Sequence, residues 1–215
     1  MNPYWPLFDL RLTVGDVELR PTAEADLDAL AAITPDDLEL DPSRPAYPGL
    51  PEQVGRRSWT VQSHWRSLGT WRPESWNLNL TVRYEGRPVG VQCLEGDEFA
   101  RRRTVDSSSW LVADVRGRGI GTAMRLAVLA LAFDGLGAEM AVTEAWHDNH
   151  ASLGVSRSLG YADNGFYRHD RQPDGVDEMR RMVLTRERFA RVHPAHGVRI
   201  ENLPPCLPFF GLTTP

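Results

Sequence analysis

One short segment constrains this chain more than any other, the run Arg116-Gly117-Arg118-Gly119-Ile120-Gly121-Thr122 between a predicted strand and a predicted helix. Its glycines allow a sharp turn, because glycine adopts positive φ without steric cost. The amides at the start of the following helix lack intrahelical acceptors and carry the positive end of the helix dipole. Such a turn binds phosphate groups well. The segment therefore predicts an anionic ligand.

The spacing of these glycines excludes two familiar nucleotide loops. The Walker loop requires a lysine, and this chain has none, since its 24 basic residues are all arginine. The same absence excludes a catalytic lysine. The dinucleotide fingerprint requires G-x-G-x-x-G, whereas the glycines here fall at 117, 119 and 121. What remains is Arg116-x-x-Gly119-x-Gly121, for which a purely structural turn is the alternative interpretation.

Apolar periodicity places this turn in a run of alternating elements. We predict a strand at 107–112, a helix at 121–133, a strand at 140–146 and a helix at 151–159. Ahead of them the pattern predicts a strand at 17–20, helices at 22–33 and 52–68, and a hairpin of strands at 78–84 and 87–94. Strands at 161–169 and 179–184 and a short helix capped by Thr185 follow. The antiparallel start is not typical of a Rossmann domain.

Two proline-rich stretches predict irregular structure. Residues 34–50 should form a loop near a substrate site. The acidic part of this loop, at 36–41, either attracts a cationic substrate or is simply solvated. The tail at 198–210 contains Pro204, Pro205 and Pro208, which exclude a helix. Its apolar residues predict that it packs on the domain or on a partner subunit, and the second alternative would give a homodimer.

The composition narrows the class of protein. A chain of 215 residues suits one domain, 1–215, with a proline-rich tail at about 197–215. No apolar run approaches the ~18 residues that span a bilayer, and the N-terminus has no basic leader, so we expect a cytoplasmic protein that does not act at a membrane. The net charge of -5 and the scattered arginines disfavour nucleic acid as a partner. Cys93 and Cys206 match no metal or disulfide spacing.

A second motif follows the next strand. Asp148-Asn149-His150-Ala151-Ser152 opens a predicted helix, and Leu159-Gly160-Tyr161 closes it. In this order and spacing, the two motifs resemble the signatures of the GNAT superfamily of acyl-CoA N-acyltransferases, over about residues 106–161. Trp110-Leu111, with Asp106 four positions ahead, resembles the branch of ribosomal-protein N-terminal acetyltransferases. Segments at 5–10, 63–65, 105–111 and 208–211 are similar to a subgroup of that branch that uses succinyl-CoA.

The resemblance implies a fold and a reaction. The fold would be α+β, an α/β/α sandwich whose mixed central sheet has a splayed pair of central parallel strands that bind coenzyme A. The reaction would move an acetyl or succinyl group from acyl-CoA to a primary amine on a protein N-terminus, a lysine or a small molecule, by direct attack and without a metal. A sensor or scaffold that binds acyl-CoA without turnover is the alternative.

The resemblance also implies which residues bind the acyl-CoA. These are Leu111, Val112, Arg116, Gly117, Arg118, Gly119, Gly121, Thr122, Asn149 and Ser152. Asn149 would contact the pantetheine arm, and a plain helix cap is its alternative role. For a succinyl donor, His64 or an arginine of the run 101–103, such as Arg101, would bind the free carboxylate. A packing role is the alternative for His64, and a solvated loop for the arginines.

Direct attack needs a hydrogen-bond donor that stabilises the oxyanion, a base that takes the proton of the amine, and an acid that protonates the leaving thiolate. A backbone N–H near Leu111 or Val112 would stabilise the oxyanion. Asp106 is the predicted base, with an ion pair to one of the arginines 101–103 as its alternative role and Glu144 as the reserve candidate. Ser156 occupies the position at which the superfamily often has a tyrosine that acts as the acid. Ser152 matches a serine of the ribosomal-protein branch and is assigned as the acid, with a surface hydroxyl as the alternative.

Overall fold

The computed structural model describes residues 2–38, 47–171 and 175–213. The predicted loop at 34–50 therefore lies partly outside the described residues. Ten strands occur in the described part: β1 Arg11–Val14, β2 Val17–Pro21, β3 Ser75–Tyr84, β4 Arg87–Asp97, β5 Thr104–Asp106, β6 Ser109–Leu111, β7 Met140–Trp146, β8 Ala162–Arg171, β9 Gly175–Thr185 and β10 Arg199–Glu201. The α-helices there are α1 Leu27–Ile33, α2 Glu52–Gly69, α3 Phe99–Arg102, α4 Ile120–Ala130, α5 His150–Ser158 and α6 Arg186–Val192.

All of these strands belong to one mixed sheet. Its order is β10-β1-β2-β3-β4-β5-β7-β9-β8, and β6 pairs with β4 beside this path. The pairings are antiparallel except for that of β5 with β7, which is parallel. The predicted antiparallel start and the predicted strand–helix–strand–helix centre are both confirmed. The predicted α+β class with a mixed central sheet is therefore correct.

Alternation along β3 and β4 assigns the helices to the two faces of the sheet. Odd-numbered residues such as Asn77 and Cys93 face a cleft that α1 and α2 also line. Even-numbered residues such as Leu78 and Leu94 lie in the core together with Met124 and other buried side chains of α4. Apolar burial on both faces holds the layers together, as the predicted sandwich requires.

The predicted single strand at 107–112 is wrong in detail. β5 ends at Asp106, Ser107 and Ser108 lie outside any strand, and β6 begins at Ser109. β5 pairs with β7 for three residues up to Asp106 opposite Val142, whereas β6 turns away and pairs with β4. Glycine at position 90 permits this, because a Cβ there would lie 2.2 Å from the Trp110 carbonyl oxygen. The result is a gap between β6 and the second half of β7, which we call the strand gap.

The tail also differs from its prediction. Residues Pro204–Phe210 form a 3-10 helix, and β10 ahead of it pairs with β1. The prolines were expected to exclude any helix, but two of them occupy the first turn, where a backbone N–H would have no partner. Phe210 is fully buried and packs edge-on against Trp76, 4.8 Å between ring centroids. The tail thus packs on its own chain.

Two absences hold for the described residues. No helix among them is both long and apolar enough to cross a bilayer. No group of three or more His, Cys, Asp or Glu side chains among them is placed to hold a metal ion.

Candidate active site

A cleft of about 630 Å³ opens on the face of the sheet that carries α1 and α2. Its floor is formed by odd-numbered residues of β3 and β4 and by the chain from Asp106 to Trp110, where β5 gives way to β6. Helices α1 and α2 supply the opposite wall, including Leu30 and His64. The cleft therefore adjoins the strand gap, where two strands of the sheet leave backbone groups unpaired.

Asp106 lies on the floor of this cleft. Its carboxylate reaches solvent there, yet the walls of the cleft limit its hydration and raise its pKa to about 6. The Ser107 amide donates to the Asp106 Oδ1 at 2.6 Å, which partly offsets this rise. The alternative role, an ion pair with one of the arginines 101–103, does not occur among the described residues. A carboxylate with a pKa near 6 is ionised at neutral pH and can still accept a proton.

Two more carboxylates share the floor with Asp106. Glu95 of β4 lies directly opposite Asp106 in the sheet, and burial raises the pKa of its carboxyl. Glu144 of β7 accepts a hydrogen bond from the Tyr167 hydroxyl at 2.8 Å, and Arg181 lies 3.9 Å from its other oxygen. Three carboxylates on one floor favour a cationic ligand in the cleft.

The strand gap distinguishes the two predicted oxyanion donors. The Val112 amide donates to the Val89 carbonyl at 2.9 Å, so it is already engaged with β4. Successive amides along a strand point to opposite sides, which turns the Leu111 amide away from β4 and toward the gap. Leu111 is thus the better placed of the two. Its carbonyl accepts from the Arg116 Nε at 2.9 Å.

The glycine-rich turn has the geometry of an anion site. Gly117 and Gly119 have φ of 75° and 81°, where a side chain would be strained. The first intrahelical bond of α4 runs from the Ala123 amide to the Gly119 carbonyl. The three amides before it, those of residues 120–122, have no backbone acceptor in the described part of the chain, so they are available to an anion. Arg118, in the same turn, is exposed.

Arg116 is already engaged in the structure. Its guanidinium forms a two-pronged ion pair with Asp37, with Nη2 2.9 Å from Oδ1, while its Nε holds the Leu111 carbonyl. The Asp37 pair lowers the pKa of that carboxyl. Arg116 therefore links the glycine-rich turn, the end of β6 and the segment after α1.

His64 is 3% exposed, and both of its ring nitrogens lack a hydrogen-bond partner among the described residues. Burial lowers its pKa, against a weaker opposing effect of Glu24 and Asp26, so the ring is neutral at pH 7. It lies in the cleft wall. Arg101, by contrast, is absent from the cleft lining and pairs with Glu98 at 3.4 Å. The structure brings His64, but not Arg101, to the site.

A family model for the acetyltransferase (GNAT) domain matches residues 16–162. The chain belongs to the GNAT acetyltransferase family. The predicted superfamily is confirmed, and the matched range contains both motifs, the whole cleft floor and the strand gap.

Several solved structures share this fold. Mycobacterium smegmatis RimJ in complex with a CoA disulfide superimposes with a TM-score of 0.67 at 21% identity, covering 91% of this chain and 98% of that one. RimL, a ribosomal-protein α-N-acetyltransferase with coenzyme A, gives 0.66 at 16% identity, covering 81% and 97%. The microcin C7 self-immunity acetyltransferase MccE with acetyl-CoA and AMP gives 0.63 at 16%, covering 79% and 92%. At these identities the likeness establishes the fold.

Asn149 caps α5 at the second GNAT motif. Its Oδ1 accepts the Ser152 amide at 3.0 Å, which leaves the side-chain NH₂ free of this bond. The plain-cap alternative is therefore observed, and a pantetheine contact through the NH₂ stays a prediction. Ser152 is half-buried in the first turn of α5 and does not line the cleft.

Substitutions at position 149 separate the two roles. Asn149→Ala should lower the free energy of unfolding by about 1 kcal/mol, as loss of a cap usually does. Asn149→Asp keeps the capping oxygen but replaces the NH₂ with a second oxygen and adds a negative charge, so it should retain near-normal stability but bind coenzyme A more weakly. Urea titration and calorimetry measure the two quantities. If the aspartate variant bound coenzyme A as the parent does, Asn149 would be a cap alone.

The GNAT sequence motifs did not reveal Glu95 or Cys93. Cys93 is buried in the cleft floor, and its Sγ lies 2.8 Å from the Asn77 Oδ1 and 3.4 Å from Glu95. Burial raises the pKa of the Cys93 thiol well above its usual range, so it is protonated and unreactive at neutral pH. Alternation along β4, which puts Val91, Cys93 and Glu95 on one face, was the available signal.

Proposed function

We propose that this protein is an acyl-CoA-dependent N-acyltransferase that moves an acyl group to a primary amine by direct attack. The observation that carries the proposal is the placement of Asp106, a carboxylate with a pKa of about 6, at the junction of the acidic cleft and the strand gap. Family membership and the free amides of α4 support a coenzyme A site on the other side of that junction.

The residues of the junction have separate tasks in this reaction. Glu95 and Glu144 attract the amine as its ammonium form. Asp106 accepts, directly or through one water, the proton that the ammonium loses before attack and passes it to solvent, and it then takes the second proton from the nitrogen once the carbon–nitrogen bond has formed. As the carbon–nitrogen bond forms, the Leu111 amide donates to the oxygen that gains negative charge. The carbon–sulfur bond then breaks, and the thiolate takes a proton, for which Ser152 remains the proposed donor. A thiol pKa of ~8.5 makes that donor's contribution modest.

The acyl group and the acceptor are finer parts of the proposal. The cleft floor is acidic and favours a cationic acceptor over an anionic one, whether this is a protein N-terminus, a lysine or a small amine. The relatives with bound coenzyme A or acetyl-CoA support an acetyl donor. A succinyl donor is supported only by the segments at 5–10, 63–65, 105–111 and 208–211 and by the unpaired His64 in the cleft wall.

The test is thiol release with a panel of donors and acceptors. Acetyl-CoA, propionyl-CoA and succinyl-CoA are each mixed with a peptide amine, free lysine and a diamine, and acceptor-dependent release of coenzyme A is expected with at least one pair. For the best pair, kcat/KM should rise with pH through about 6, because only the Asp106 carboxylate form accepts a proton. Preference for succinyl-CoA that disappears in His64→Ala would assign the donor carboxylate to His64.

Two outcomes would contradict the proposal. Calorimetric binding of coenzyme A without any acyl transfer would support the sensor or scaffold instead. If no acyl-CoA bound, the proposed coenzyme A site would be ruled out.

A further inference from the structure

Arg125 is a buried cation on the face of α4 that packs on the sheet. The residue is 4% exposed and sits among apolar neighbours such as Met124 and Val128. No carboxylate in the described part of the chain forms an ion pair with it, and its Nε has no hydrogen-bond partner there. Burying a guanidinium without a counter-ion is costly, so its position calls for a physical reason.

The partners of Arg125 lie on the two sides of the strand gap. Its Nη1 donates to the Thr143 Oγ1 of β7 at 3.2 Å, and its Nη2 donates to the Ser109 Oγ of β6 at 3.3 Å. The Thr143 hydroxyl in turn donates to the Ser107 carbonyl at 3.0 Å. The planar guanidinium group of Arg125, a fork of two NH₂ groups at a fixed spacing, therefore bridges β6 and β7, which do not pair with each other through backbone hydrogen bonds.

We propose that Arg125 is a positioning residue that holds the strand gap open and fixes Asp106 and Leu111 on either side of it. Through Thr143 it fixes the Ser107 carbonyl, and the Ser107 amide binds the Asp106 carboxylate. Through Ser109 it fixes the start of β6, which carries Leu111 two residues later. This inference rests on the proposed function, because it takes the strand gap to be the place where the acyl donor binds.

The charge of Arg125 also acts on Asp106. The groups that face Asp106 are the carboxyls of Glu95 on β4 and Glu144 on β7, the Cys93 thiol on β4, the hydroxyls of Tyr161 and Tyr167, and the Arg125 guanidinium on α4. Among these, Arg125 is the cation, and it lowers the pKa of Asp106 against the two carboxylates and burial, which raise it. Removing the charge should move the acid limb of the pH–rate profile to higher pH.

Two substitutions separate charge from shape. Arg125→Met keeps much of the side-chain volume and loses both the charge and the fork. Its kcat/KM should fall roughly tenfold or more, it should bind coenzyme A more weakly, and the acid limb of its pH–rate profile should move to higher pH. Arg125→Lys keeps the charge and loses the fork, so the acid limb should stay in place while coenzyme A affinity falls as in the methionine variant. Arg191→Met, which replaces an exposed arginine on α6, should leave kcat/KM, coenzyme A affinity and the acid limb unchanged.

Thr143→Val provides a test that leaves Arg125 in place. It removes one bridging hydroxyl at nearly constant volume, so it should weaken coenzyme A binding without moving the acid limb. If Arg125→Met fails to fold, as a thermal melt would show, this variant and Ser109→Ala carry the test. Coenzyme A affinity and pH profiles equal to the parent in the variants that fold would overturn the inference.

The two proposals fail in distinguishable ways. If the parent protein transfers no acyl group, the proposed function fails, and calorimetry with coenzyme A still reports whether Arg125, Ser109 and Thr143 shape the gap. If the parent is active and these variants bind coenzyme A and respond to pH as it does, Arg125 has only a packing role and the proposed function stands.

Discussion

Replacing Asp106 with asparagine is expected to lower kcat by roughly 10²- to 10⁴-fold, the usual contribution of a general base. Asparagine has nearly the same shape as aspartate and keeps an oxygen that can accept the Ser107 amide, so the break between β5 and β6 should persist. It cannot take a proton at neutral pH. Affinity for coenzyme A, measured by calorimetry, should therefore stay close to that of the parent.

The control is a second carboxylate on the same floor. Glu144→Gln removes one negative charge from the cleft but not the predicted base, so its main effect should be a higher KM for a cationic acceptor. The residual activity of Asp106→Asn should also lose its dependence on a group with a pKa of about 6. If Glu144→Gln abolished turnover and Asp106→Asn did not, Glu144 would be the base.

Gly121→Glu is expected to weaken coenzyme A binding by roughly 100-fold or more, because a carboxylate beside the first amides of α4 repels a pyrophosphate at close range. Gly121→Gln is the matched control. A Cβ at this position would lie 3.6 Å from Val155 and 3.8 Å from Leu111, which are ordinary contacts, and glutamine and glutamate have nearly the same size. The glutamine variant should keep most of its affinity.

The comparison of these two variants isolates the charge. Equal calorimetric affinities for coenzyme A in the glutamate and glutamine variants would show that no phosphate binds at this turn. Gly119 is unsuited to such a test, since its φ of 81° would add backbone strain to any substitution.

Sequence patterns predicted the helices and strands in which apolar residues repeat with one clear period. The strand at 140–146 matches β7 residue for residue, and the helix predicted at 52–68 is one residue short of α2. The break between β5 and β6 was missed, because its cause, the close approach of β6 to Gly90 of a distant strand, is not local in the sequence. Short β10 was missed for the same reason, since its partner β1 is far away in the chain.

The candidate site was predicted in part, for a similar reason. Asp106 and the glycine-rich turn belong to contiguous motifs. Glu95 comes from another element and reaches the cleft only through the register of β4 with β5. A single arginine in the apolar stripe of α4 was a visible anomaly, but nothing in the sequence identifies Ser109 and Thr143 as the partners of Arg125.

The ion pair of Arg116 with Asp37 would make the two substrates of the proposed reaction energetically interdependent. A pyrophosphate bound at the glycine-rich turn would compete with Asp37 for the same guanidinium, and Leu38, the next residue, lines the cleft proposed for the acceptor. Binding of the acyl donor would thus loosen the segment after α1, which lies at the edge of the cleft. By thermodynamic reciprocity, an acceptor that contacts this segment would change the affinity for the donor by the same factor as the donor changes the affinity for the acceptor. The coupling between the two substrates would then depend on one exposed arginine rather than on the groups that perform the chemistry.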